Sequence, residues 1–258
     1  MILTITNQKG GVGKTTITHT LSYGLARRGY KVLVVDLDGQ CSLTRTFRID
    51  PELPTSYDLM LKKARIKECI QPVEDNLDII PGDPDLSAMD LELKDLGKEY
   101  RLKEVLEPVK SVYDFIILDT PPALNTITTN ALTGADRVLI PCVAEVYSLD
   151  GVGRLYDTIN VIRKYTNKDL IIDGMLLNEY NSRTILSREI ANRYKKLAES
   201  IGTKVYTTTI RTANAMKETQ TRRKDIFTYD GKSNVANDCN EFIDEFLKGL
   251  GYEQNKTH

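Results

Sequence analysis

Eight consecutive residues, Lys9-Gly10-Gly11-Val12-Gly13-Lys14-Thr15-Thr16, carry the groups needed to hold a polyphosphate. Glycines let phosphate oxygens approach the backbone closely and permit the dihedral angles of a tight turn. Lys14 is spaced to reach the β- and γ-phosphates, and the Thr15 hydroxyl to bind Mg2+. The segment follows a short apolar strand pattern over residues 1–6 and opens a helical pattern over 17–28. A turn placed there aims several backbone N–H groups at one anion, and the helix dipole adds positive potential. The strict phosphate-loop pattern asks for glycine where this chain has Gln8. A second lysine, Lys9, stands at the start of the loop instead.

Two further segments end in carboxylates. Val32-Leu33-Val34-Val35-Asp36-Leu37-Asp38 reads as a buried strand followed by Gly39-Gln40, and Phe115-Ile116-Ile117-Leu118-Asp119 as another, followed by Thr120-Pro121-Pro122. Ligands of open parallel sheets sit at the C-terminal ends of strands. Asp36 and Asp38 can therefore approach a triphosphate held by the loop. They are expected to point to different sides and so to have different roles.

The loop resembles the deviant Walker A box, KGGVGKTT, of the ParA/MinD family of P-loop ATPases. The stretch from Asp36 to Gln40 is similar to that family's DxDPQ, with Gly39 in place of proline, and the strand ending at Asp119 looks like its Walker B element. The resemblance implies ATP and Mg2+ as cofactors. Thr15, Asp36 and Asp119 would serve the metal, with Asp36 near the hydrated ion and Asp119 acting through water. Asp38 would position or activate the attacking water, and Lys9 would reach across a homodimer to the partner's phosphates. Lys9, Lys14 and Asp38 are thus the catalytic candidates. Gly10, Gly11, Val12, Gly13, Thr15 and Thr16, with both lysines, bind the nucleotide.

Leu176-Leu177-Asn178 ends a strand where the family lines its adenine pocket, which makes Asn178 a candidate for the base edge and the stretch 211–220 the opposite wall. Asparagine at a strand end is also ordinary turn chemistry. Residues 145–151, Glu-Val-Tyr-Ser-Leu-Asp-Gly, resemble a dimer-facing loop of the family, and read equally as a strand-to-helix loop with a helix cap.

Charge is distributed unevenly. Residues 183–224 hold eleven Lys and Arg against three Glu, a net of +8, which leaves −9 elsewhere in a chain whose formal net is −1. A basic region on an acidic body fits either a nucleic-acid footprint or a solvated helix face. Asn181-Ser182-Arg183-Thr184 resembles the family's D-x-R-T turn, whose arginine contacts DNA. At the family's second DNA-contacting arginine this chain has Ala215, and Arg211, Lys217, Arg222, Arg223 and Lys224 are the candidates to compensate. The family's other partner is a ParB-type centromere-binding protein.

These residues must be carried by a regular scaffold. Short apolar runs at 2–6, 31–35, 77–80, 115–118, 137–140, 171–177 and 205–209 predict strands, and the patterns at 15–28, 101–109, 149–165, 184–200 and 237–247 predict helices. Nearly continuous apolar strands alternating with helices predict a mostly parallel twisted sheet with helices on both faces, a single α/β domain of the P-loop NTPase class. It is expected to span 1–250, with a polar tail at 251–258.

Composition sets outer limits. Hydrophobic residues make up 41% and charged residues 28%, ordinary for a globular protein. No apolar run approaches the roughly 20 residues of a membrane span. Cys41, Cys69, Cys142 and Cys239 are scattered without a CxxC pair, which argues against disulfides and metal sites and fits a reducing cytoplasm. The chain opens on its first strand, so neither a signal peptide nor the helix-turn-helix arm of larger ParA proteins is expected. The expected activity is a DNA-partition ATPase, cytoplasmic and nucleoid-associated, without membrane contact. The main rival is a MinD-like membrane-associated ATPase, which needs a basic amphipathic C-terminal helix, whereas residues 242–248 are acidic. An iron-protein type would need paired cysteines, and a tyrosine kinase type a C-terminal tyrosine cluster.

Overall fold

The computed structural model describes residues 1–145 and 148–252, so Val146, Tyr147 and positions 253–258 of the expected tail lie outside the described residues. The strands are β1 (Ile2–Ile5), β2 (Val32–Asp36), β3 (Gln71–Glu74), β4 (Leu77–Ile80), β5 (Phe115–Asp119), β6 (Arg137–Val143) and β7 (Ile171–Asn178). They form one sheet in the order β3-β4-β2-β5-β1-β6-β7. Every neighbouring pair is parallel except β3 with β4.

The helices are α1 (Lys14–Ala26), α2 (Ser56–Met60), α3 (Ile66–Cys69), α4 (Met89–Glu92), α5 (Arg101–Leu106), α6 (Thr126–Gly134), α7 (Ser148–Tyr165), α8 (Ile185–Ser200), α9 (Asn214–Arg222), α10 (Ile226–Asp230) and α11 (Asn234–Gly249). Strand alternation divides the core between two faces. Leu3, Val34, Ile117 and Leu139 pack with α1, α10 and α11 on one face, together with Met216 of α9. Ile2, Val35, Ile116 and Ile140 pack with α2, α5, α6, α7 and α8 on the other. Strands buried on both sides read as continuous apolar runs for this reason.

The stretch 205–209 is not a strand. Val205 makes one isolated bridge to Met175, and Arg211 one to Tyr180. The N–H groups of Thr207 and Thr208 donate instead to the Glu245 carboxylate of α11, both at 2.8 Å. A side chain thus takes the donors a ladder would need. The helix expected at 101–109 tightens after Leu106 into a 3-10 turn over Glu107–Val109, where Pro108 lies. The edge strand β3 and helices α2, α3, α4, α6, α9 and α10 lie outside the runs read as strands and helices from the sequence.

Candidate nucleotide site

β1 runs into the glycine loop, and α1 rises from it beside β5. Asn7 ties the loop to β6: its Nδ2 donates to the Pro141 carbonyl at 2.8 Å, and its Oδ1 accepts from Lys9 N–H at 3.0 Å. From the other side Asn178, at the end of β7, donates Nδ2 to the Val12 carbonyl at 3.0 Å. Gly11 and Gly13 have φ of 74° and 88°, the left-handed region that favours glycine. A Cβ on Gly13 would also stand 2.1 Å from Asn178 Nδ2. Gly13 caps α1, and the first N–H taken up by the helix is that of Ile17, which donates to the Gly13 carbonyl at 2.9 Å. The amides of Lys14, Thr15 and Thr16 precede it and have no intrahelical partner, the arrangement an anion needs.

A cleft of about 390 Å³ opens over these amides. Gly10, Gly11, Gly13, Lys14, Thr15 and Thr16 line one side, with Asp38 and Gln40 beside them; Asn178, Arg211, Met216, Lys217 and Gln220 line the other. The loop and the two stretches expected to enclose a base therefore share one cavity. Lys14 is nearly buried, and burial lowers its pKa against the opposing pull of Asp119 and Asp38. Its Nζ lies 3.4 Å from the Lys9 carbonyl.

The two strand-end acids Asp36 and Asp119 are register partners on adjacent strands, and both are buried. Asp119 accepts from the Thr15 hydroxyl at 2.7 Å and the Thr18 hydroxyl at 3.1 Å. Asp36 accepts from the Thr44 amide at 2.9 Å, the Thr44 hydroxyl at 2.7 Å and the Asp38 amide at 3.1 Å. Burial raises both carboxyls above the usual range, and the charge of Asp36 raises Asp119 further. A paired acid site of this kind favours added positive charge. Because the Thr15 hydroxyl gives its proton to Asp119, its lone pairs are left for the cleft, as a cation ligand requires. Asp36 faces Thr44, while Asp38 lines the cleft; β2 ends at Asp36, so Asp38 lies in the following loop and escapes the strand alternation that would put residues two apart on one face.

Lys9 is engaged within its own chain. Its Nζ donates to Glu145 and, at 2.8 Å, to the Ser148 hydroxyl at the start of α7. The basic candidates separate into groups. Arg183 lines an adjacent cleft of about 430 Å³ that shares Arg211 and Thr212 with the first. Arg211 is held by both carboxylate oxygens of Asp238, through Nε at 2.6 Å and Nη2 at 2.7 Å. Arg222 ends α9 over the Tyr229 ring, 5.4 Å from its centroid; Arg223 caps that helix at φ 51°, and Lys224 follows. Sequence reasoning missed Asn7, Thr18 and Thr44, and reached Glu145 and Gln220 only as the ends of the stretches 145–151 and 211–220. Thr18, one helical turn beyond Lys14 and Thr15, carried a signal in its spacing. Asn7 adjoins the loop and accepts from the Lys9 N–H two residues on, whereas Thr44, Glu145 and Gln220 meet the site through tertiary contacts.

A glycine loop between the first strand and helix of a parallel sheet, with an acid ending the neighbouring strand, defines a P-loop NTPase domain. The profile of a family described as AAA domain matches residues 1–172. The sporulation initiation inhibitor protein Soj of Bacillus subtilis is 39% identical over 239 residues, 91% of this chain and 93% of that protein. The chromosome partitioning protein ParA of Caulobacter vibrioides is 36% identical, covering 90% and 88%. A cobyrinic acid a,c-diamide synthase structure from Mycobacterium smegmatis, with bound ADP and magnesium, superposes with a TM-score of 0.82 at 31% identity, covering 97% and 95%. The chain belongs to this AAA-domain family, among the Soj/ParA partitioning ATPases.

Proposed function

We propose that this chain is an ATP-driven DNA-partition ATPase: it binds ATP and Mg2+ in the cleft, closes face to face with a second copy, and then binds DNA without sequence preference. The observation that carries this reading is the junction of loop and acids. Thr15 presents lone pairs to the cleft because its O–H donates to Asp119, and Asp38 lines the same space. Among the described residues no cluster of three or more His, Cys, Asp or Glu side chains could hold a metal alone. Phosphate oxygens and water would complete the shell, as in other P-loop enzymes. When bound, Mg2+ would neutralise charge on the β- and γ-phosphates.

This chain's own residues do the rest. Amides of the loop and Lys14 would hold the phosphates, and Thr15 would hold the metal, with Asp119 and, behind it, Asp36 supplying negative charge. Asp38 orients the attacking water. Asn178, whose amide nitrogen is committed to Val12, would meet the adenine edge through its remaining groups. Lys9 leaves Glu145 and Ser148 to reach the partner's phosphates, stabilising charge as an arginine finger does. Dimerisation joins two basic surfaces. Arg183, Arg222, Arg223 and Lys224 would carry phosphate contacts, Lys217 would add charge at the cleft mouth, and Arg211 would offer the guanidinium edge left free by Asp238. A ParB-type centromere-binding protein would stimulate hydrolysis.

The membrane alternative loses support in α11, which buries its apolar side, Phe242, Ile243, Phe246 and Leu247, in the core. No helix among the described residues is long and apolar enough to cross a membrane. Asp38→Ala provides the test. It should bind ATP, hydrolyse it at least tenfold more slowly, and elute as a dimer from size-exclusion chromatography with ATP. A monomer that still binds ATP would give Asp38 another role and remove the proposed cycle.

A further inference from the structure

Thr15 and Thr16 are adjacent and face the same cleft, yet their hydroxyls are bonded in opposite senses. Thr15 donates its proton to Asp119 Oδ2 at 2.7 Å. Thr16 Oγ1 receives the amide Nε2 of Gln220 at 2.8 Å. A primary amide nitrogen only donates, so the Thr16 oxygen must accept and its own proton stays uncommitted. The first arrangement offers a cation lone pairs, and the second offers an anion a proton. Gln220, 204 residues from Thr16 in sequence, belongs to α9, which also supplies Met216 and Lys217 to the cleft. Both partners are half-buried, where a hydrogen bond polarises its neighbour more than it does in water.

We propose that Gln220 is a positioning residue for nucleotide binding. It fixes the Thr16 hydroxyl as a donor to a phosphate oxygen over the start of α1, and so closes α9 onto the phosphate loop. The proposal rests on the ATP reading of the cleft. Gln220 contributes no phosphate contact of its own; its effect passes wholly through Thr16. That dependence separates it from a residue that merely packs α9, because its contribution must vanish when the Thr16 hydroxyl is removed.

The test is a double-mutant cycle on the full chain, with a fluorescent ATP analogue and Mg2+ as the probe and anisotropy as the readout. Gln220→Ala should weaken binding about three- to tenfold, the range of one hydrogen bond. Gln220→Met, similar in length but without a donor, should do the same and serves if the alanine variant melts early. Gln220→Glu should be weaker still, since a carboxylate claims the Thr16 proton and repels phosphate. In a Thr16→Val background, Gln220→Ala or Gln220→Met should cost less than twofold more. Additive losses, or single variants within twofold of the unmodified chain, would overturn the proposal. Failure of the folded, unmodified chain to bind the analogue would instead overturn the ATP reading, and this inference with it.

Discussion

Lys9 decides whether this site works alone or in pairs. Its Nζ bonds both Glu145 and Ser148, which lie within the stretch 145–151 read as dimer-facing. Lys9→Ala should keep nucleotide affinity within about twofold and lose ATP-driven dimerisation, measured by light scattering on the eluting peak; an unchanged dimerisation constant would leave Lys9 without a role in trans. Gly13 tests the loop itself. Gly13→Ala must place a Cβ against Asn178 at a φ of 88°, so ATP binding should fall more than tenfold, read by calorimetry. His19, next to the loop on α1, is buried against Tyr23 and Phe47 with Nε2 unpartnered. Burial lowers its pKa from 6.5 to about 4. The unfolded chain then takes up a proton that the folded chain refuses, so stability falls as pH drops through that window and is intact above 6.5. The loss is about 1.4 kcal/mol per pH unit from this group. His19→Gln should flatten denaturant midpoints between pH 6.5 and 4, and an unchanged slope would contradict the burial argument.

At the scale of elements, the site-bearing parts were legible and the enclosing parts were not. β1, β2, β5 and β7 announce themselves as apolar runs because both their faces are buried, and three of them end in residues that line or support the cleft. β3 was hidden because Pro72 and Glu74 interrupt its pattern, which an edge strand tolerates. α6 carries threonines at Thr126, Thr128 and Thr129 and is started by Asn125, whose side chain accepts from the Thr128 amide. Its helical state comes from packing rather than propensity. α9 was expected only as a pocket wall, and Gln220 could not be singled out, because its bond to Thr16 is purely tertiary. The same limit applies to Glu245, which turns an expected strand into an irregular edge. α11 offers a direct test of element roles. Phe246 is fully buried, so Phe246→Ala should cost about 3–5 kcal/mol in urea unfolding. A near-neutral result would mean that this face is not spent on the core, and would revive the membrane reading; vesicle sedimentation with ATP should leave the unmodified chain in the supernatant.

For the whole molecule, the claim that matters is that ATP converts two weak basic surfaces into one that holds DNA. The segment 183–224 carries +8 on a chain of net −1, and any DNA contact should concentrate there. Arg211 is largely spent on Asp238, and Arg183 makes no ion pair among the described residues. The dependence should therefore fall most heavily on Arg183 and on the run from Arg222 to Lys224. Non-specific binding is driven mainly by counterion release, with log K falling by about 0.9 per phosphate neutralised per log unit of salt. Doubling the footprint by dimerising should about double that slope. The most direct measurement is fluorescence anisotropy with random-sequence duplex DNA across a salt series, in ATP and in ADP, for the unmodified chain and Arg183→Glu. The account predicts salt-steep binding with ATP, little with ADP, no sequence preference, and weaker binding by Arg183→Glu with basal hydrolysis intact. Equal affinity in ATP and ADP, or an unaffected Arg183→Glu protein, would contradict it.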